Sequence, residues 1–66
     1  MKEKIRFLPQ RVLGSVIHYQ VVMDGVLVGI VVRQRISGWR YRLTVGERGG
    51  FNTLNETKAE VRRILS

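Results

Sequence analysis

Ser15-Val16-Ile17-His18-Tyr19-Gln20-Val21-Val22-Met23, Asp24-Gly25, and Val26-Leu27-Val28-Gly29-Ile30-Val31-Val32-Arg33-Gln34-Arg35 follow one another without interruption, and their pairing decides the fold. Asp-Gly between two β-branched runs is a hairpin signal, because both central positions of the favoured tight turn need φ > 0. A two-residue turn sets Met23 opposite Val26 and predicts the pairs Val21/Val28, Tyr19/Ile30 and Ile17/Val32 on one apolar face. The other face then receives Val22/Leu27, Gln20/Gly29, His18/Val31 and Val16/Arg33. A turn at Ile36-Ser37-Gly38 leads into a third strand, Trp39-Arg40-Tyr41-Arg42-Leu43-Thr44-Val45. There Trp39, Tyr41, Leu43 and Val45 join the apolar face, and Arg40, Arg42 and Thr44 join the second face beside Arg33.

The apolar face needs a cover, and the C-terminal segment supplies one. Thr53-Leu54-Asn55-Glu56 fits a capping box, in which hydroxyl and carboxylate satisfy the free amides of a helix start. Leu54, Thr57, Val61, Ile64 and Leu65 then form one stripe at helical spacing, with Asn55, Glu56, Ala59, Glu60, Arg62 and Arg63 opposite. The expected fold is α+β: a three-stranded antiparallel β-meander with one C-terminal α-helix packed on one face, in the order β-β-β-α. Leu43, Tyr19 and Ile30 are expected to be buried against Val61 and Leu65. Residues 15–66 form this single domain. Residues 1–14, broken by Pro9 and Gly14 and carrying Lys2, Lys4, Arg6 and Arg11, read as a basic N-terminal arm, partly packed through Phe7, Leu8, Val12 and Leu13. Val45-Gly46-Glu47-Arg48-Gly49-Gly50-Phe51 lacks the phosphate-loop pattern and reads as a connector to the helix.

A chain of 66 residues is near the lower size limit for unaided folding. It has no cysteine, which excludes disulfides and thiolate metal sites, and its single histidine, His18, predicts no metal site and no cofactor. The acids Glu3, Asp24, Glu47, Glu56 and Glu60 are scattered over different elements, and no nucleophile sits beside a base, so no enzyme activity is expected. No apolar run is long enough to span a bilayer, so a cytoplasmic protein without membrane contact is expected.

Net charge is +7, and nine of the twelve basic residues are arginine. Arginine's planar fork binds phosphates and guanine edges bidentately. Arg33, Arg35, Arg40 and Arg42 lie in a stretch with no acid between Asp24 and Glu47. Like charges across neighbouring strands repel, and a polyanion bound over them offsets that cost. These four, with Lys2, Lys4 and Arg6 of the arm, are the candidate nucleic-acid-binding residues. Trp39 and Tyr41, on the opposite face, read as core aromatics before stacking platforms.

A meander bearing arginines on one face, followed by Gly50-Phe51-Asn52-Thr53 and a helix with Glu56, Thr57 and Val61, resembles the G-x-F-x-T-x-x-E-A pattern of two related groups. They are the ethylene-response-factor type domain of plants and the arm-binding N-terminal domain of phage-type tyrosine recombinases. Thr57 stands where that pattern has Ala, and the likeness covers residues 16–65. It implies a sheet lying in the DNA major groove with the helix behind it, and carries duplex-DNA contact onto Arg33, Arg35, Arg40 and Arg42. No catalytic domain follows in the sequence, so a stand-alone module in the manner of small phage and mobile-element proteins is expected. About four neutralised phosphates correspond to a slope of log affinity against log salt of about −3.6.

The same charge serves a different reading, a small phage or mobile-element protein that binds and modulates a host protein by setting this basic face against an acidic surface. Val16, Val22, Leu27 and Val31 discriminate. An exposed apolar patch formed by them beside the arginines favours protein binding or a homodimer, since nucleic-acid interfaces are more polar.

Overall fold

A computed structural model describes residues 4–66. The Asp24-Gly25 turn forms as expected, with φ of 52° and 81° and Met23 opposite Val26. It joins two strands of a sheet wider than the expected meander. Five strands run antiparallel in sequence order: β1 (Ile5–Val12), β2 (Ser15–Met23), β3 (Val26–Gln34), β4 (Gly38–Leu43) and β5 (Gly46–Phe51). The helix α1 (Leu54–Leu65) follows β5 directly. The three-stranded meander is therefore corrected to five strands and one helix. The two added strands are the edges.

β1 is the segment expected to be an arm. Pro9 excludes a central strand, but on an edge its missing N–H is tolerated at outward-pointing positions. Pro9 lies opposite Tyr19, and Val12 opposite Ser15 closes a two-residue turn at Leu13-Gly14. Both turn residues have positive φ, 51° and 81°. β1 thus extends the sheet in its own plane rather than lying over one face. Lys2 falls outside the described residues.

β5 is the segment expected to be a connector. Glycine is poor in strands, yet Gly46 pairs with Leu43 across a two-residue loop, Thr44-Val45, and Phe51 pairs with Trp39 at the other end. β4 therefore ends at Leu43, and Val45 lies exposed in the turn rather than on the apolar face.

The central hairpin departs from the expected register. Val22 lies opposite Leu27 but Val21 lies opposite Gly29, so Val28 is an extra residue in β3, a β-bulge. Beyond it every β3 side chain changes face: Tyr19 pairs with Val31 and His18 with Val32, in place of Tyr19/Ile30 and Ile17/Val32. Val31, expected on the second face, is fully buried, while Ile30 and Val32 point to the side away from the helix. Gly29 permits a close approach to β4: a Cβ there would meet the Arg42 carbonyl oxygen and come within 2.6 Å of Leu43 Cδ2.

Val21, Val31, Tyr41, Leu43 and Val61 form the core, with Ile5, Phe7, Tyr19, Trp39, Phe51, Leu54, Ile64 and Leu65 packed around it. Leu43 is buried on this face, as expected, whereas Tyr19, expected to be buried, is half-buried at its margin. Ile30 is not part of it. The helix starts where the capping pattern places it. The Glu56 amide donates to Thr53 Oγ1 at 3.1 Å, and Glu56 Oε2 accepts from the Asn52 amide at 3.2 Å, one residue before the usual position. Thr57 is fully buried, and its hydroxyl donates to the Thr53 carbonyl at 2.9 Å, so the residue that departs from the Ala of the pattern has its polar group satisfied.

Candidate nucleic-acid interface

With the helix on one side, the other face of the sheet stays open, and three cross-strand rows define it. One runs Leu8–Gln20–Ile30–Arg42–Glu47 across all five strands. A second runs Gln10–His18–Val32–Arg40, and a third Arg6–Val22–Leu27. Alternation along β4 puts Arg40 and Arg42 side by side on this face, as their spacing predicts.

A carboxylate stands between these two arginines, although the sequence places no acid between Asp24 and Glu47. Arg40 Nη2 lies 3.2 Å from Glu47 Oε1, and Arg42 Nε lies 3.4 Å from Glu47 Oε2. Glu47 is on β5 directly opposite Arg42. The repulsion between these two neighbours on β4 is therefore relieved within the protein, and no arginine lies across the strand from either of them on β3. One carboxylate shared by two guanidiniums still leaves one unit of positive charge and most of the eight or so remaining N–H donors free. The Arg42 side chain is 75 % exposed and that of Arg40 34 %.

The other two arginines of the expected row are elsewhere. Arg33 lies opposite Trp39 and shares the helix-covered face, because the bulge at Val28 inverts β3. Arg35 sits in the exposed loop between β3 and β4. Of the residues expected in the arm, Arg6 lies on β1 opposite Val22 and so joins the open face, and Lys4, just before β1, is exposed and donates its amide to Asp24 Oδ1 at 2.9 Å.

The open face is also more apolar than expected. Leu27 is 55 % exposed and Leu8 40 %, and Val22, Ile30 and Val32 are half-buried between them and the arginines. Of the four residues expected to form a patch, Val22 and Leu27 belong to it, Val16 is exposed near the β1–β2 turn, and Val31 is in the core. A shallow pocket of about 420 Å³ lies beside the bulge, lined by Leu27, Val28, Gly29, Ile30, Arg42, Leu43 and Thr44.

Two basic residues that the pattern reading left out occupy the helix side. Lys58 Nζ lies over the rings of Phe7 and Tyr19, 5.3 and 5.5 Å from their centroids, and the Arg62 guanidinium lies 5.0 Å from the Phe7 centroid. Their i, i+4 spacing is visible in the sequence; the aromatic partner on β1 was hidden with that strand. Glu60, facing β5, binds Arg63 and also Arg48, the latter at 3.4 Å. The hydrogen bond from Arg63, more than the charge of Arg48, holds the Glu60 carboxyl below its ordinary pKa despite some opposing desolvation.

Among the described residues no group of three or more His, Cys, Asp or Glu gathers as a metal site, and no helix is long and apolar enough to cross a membrane. No family model, no curated protein and no solved structure matches this chain.

Proposed function

We propose that the protein binds nucleic acid and docks the β4–β5 side of its open face on duplex DNA. The observation that carries this reading is the pair Arg40 and Arg42, adjacent on the strand next to a sheet edge and held extended by Glu47 on the face the helix leaves open. Four inter-strand spacings make the whole sheet about 19 Å wide, too broad for a major groove of about 12 Å. A two-stranded ribbon fits, and β4–β5 is the ribbon that carries the arginines. Arg6, on the far edge of the same face, then meets the flanking phosphate backbone.

Salt titration tests the reading. Arg6, Arg40 and Arg42 neutralising about three phosphates give a slope of about −2.7, and Arg40→Gln with Arg42→Gln should flatten it by about two units. An unchanged slope in the double variant, or no duplex binding by the wild type at low salt, refutes it.

The apolar strip on the same face favours a second reading, docking of a protein segment with acidic flanks. An apolar side chain enters the pocket beside Gly29 while carboxylates meet Arg42 and Arg40. Leu27→Ser with Ile30→Ser separates the two. It abolishes protein docking and leaves a phosphate-driven salt slope intact.

A further inference from the structure

The helix side carries its own cations, and they are held differently from those of the open face. Lys58 and Arg62 are one helical turn apart, a spacing at which like charges repel. Each is laid on aromatic rings, Lys58 on Phe7 and Tyr19 and Arg62 on Phe7, at 5.0 to 5.5 Å from the centroids. Tyr19 continues to Trp39, 6.1 Å away centre to centre, and Arg33 stands opposite Trp39 on the same face. Among the described residues no carboxylate lies within 4.0 Å of Arg33, Lys58 or Arg62. The acids of the helix are engaged elsewhere, Glu56 at the Asn52 amide and Glu60 on Arg48 and Arg63.

A ring face attracts the cation but accepts few of its N–H bonds, so the donors stay available to phosphate oxygens while the side chains are fixed in place. The band Arg33, Lys58 and Arg62 lies on the opposite side of the sheet from Arg40 and Arg42. The shortest extent of the molecule is 18 Å. Duplex DNA, with a persistence length of about 150 bp, does not fold around a body this small. A duplex seated on the open face therefore cannot also reach Lys58 and Arg62.

We propose that the protein bridges two nucleic-acid segments, one duplex on the open face and the phosphodiester backbone of a second on the Lys58–Arg62 band. This rests on the nucleic-acid reading above. The test mixes the full chain with two populations of short duplex DNA, one carrying a donor and the other an acceptor fluorophore, and measures inter-duplex energy transfer together with the stoichiometry of the complex. The expected result is a complex of one protein with two duplexes and clear transfer. Lys58→Gln with Arg62→Gln should abolish transfer and leave binding of the first duplex unchanged within the error of the titration. The charge-matched control Arg11→Gln with Arg63→Gln should keep transfer, which excludes simple charge-driven condensation. Tight binding of a single duplex without transfer in the wild type, or transfer that survives in Lys58→Gln/Arg62→Gln, overturns bridging and leaves the first reading standing. Absence of any duplex binding overturns both.

Discussion

Leu13 is a fully exposed leucine in a turn position with φ of 51°. The left-handed region costs an L-residue with a large side chain on the order of 1 kcal/mol, and Asn tolerates it. Leu13→Asn should therefore raise stability by about 0.5 to 1 kcal/mol, a shift of a few degrees in Tm for a domain this small. A lower Tm would mean that the leucine makes a contact in solution that its exposure conceals. Gly29 is the opposite case. It lies opposite Leu43 in mid-sheet, where a methyl group would meet the β4 backbone at Leu43 Cα, 2.8 Å away. Backbone has no rotamer by which to yield, so Gly29→Ala should cost about 1 to 3 kcal/mol. Thermal melting checks both, and the two effects should have opposite signs.

Among the elements, the β2–β3 hairpin and α1 were legible because each carries a local signal: Asp24-Gly25 for the turn, and Thr53 with Glu56 for the cap. β1 and β5 were not, because Pro9 and the glycines from Gly46 to Gly50 are unfavourable in strands, and the edge places that accommodate them are fixed by neighbours and not by the residues themselves. The bulge at Val28 left one trace in the sequence, Gly29, since a glycine inside a strand run marks a bulge or a close backbone approach, but it does not say which residue is left unpaired. If β1 were a dispensable arm, a chain starting at Gly14 would fold. Instead Ile5 and Phe7 pack against the core, and Phe7 pairs with the fully buried Val21. Removing residues 1–13 should abolish cooperative melting, read by circular dichroism and by Trp39 fluorescence. A retained sharp transition would restore the arm.

The tie between α1 and β5 has a pH signature of its own. The Glu60 carboxyl is held below its ordinary value of 4.5 by its hydrogen bond from Arg63 and the charges of Arg63 and Arg48. A carboxyl with a lowered pKa in the folded state contributes stability above its unfolded value, and that contribution is lost as pH falls through the folded value. Glu60→Gln should lower stability near neutral pH and flatten the decline below about pH 4.5. An acid limb identical to that of the wild type would show that other carboxyls dominate it.

At the scale of the molecule, the candidate site was half legible. Alternation along β4 gave Arg40 and Arg42 their common face, while the bulge carried Arg33 to the other side and the hidden β5 brought Glu47 between the two arginines. The consequence is a small body with cations on both faces, a net charge of +7, and two carboxylates, Glu47 and Glu60, each shared by two arginines. Exposed ion pairs contribute little, about 0 to 1 kcal/mol each, whereas the repulsion of the unmatched cations is summed over the whole surface. Salt screens both, with a Debye length falling from about 14 Å at 0.05 M to about 6 Å at 0.3 M. Distances across this molecule exceed those lengths, while the ion pairs lie within them, so screening removes the repulsion first. Raising salt should then raise the Tm of the free protein while weakening the proposed binding to duplex DNA, two effects of opposite sign from one charge distribution. A Tm that fell with salt would show that the pairs around Glu47 and Glu60 outweigh the net charge, and the electrostatic basis for polyanion binding would lose its main support.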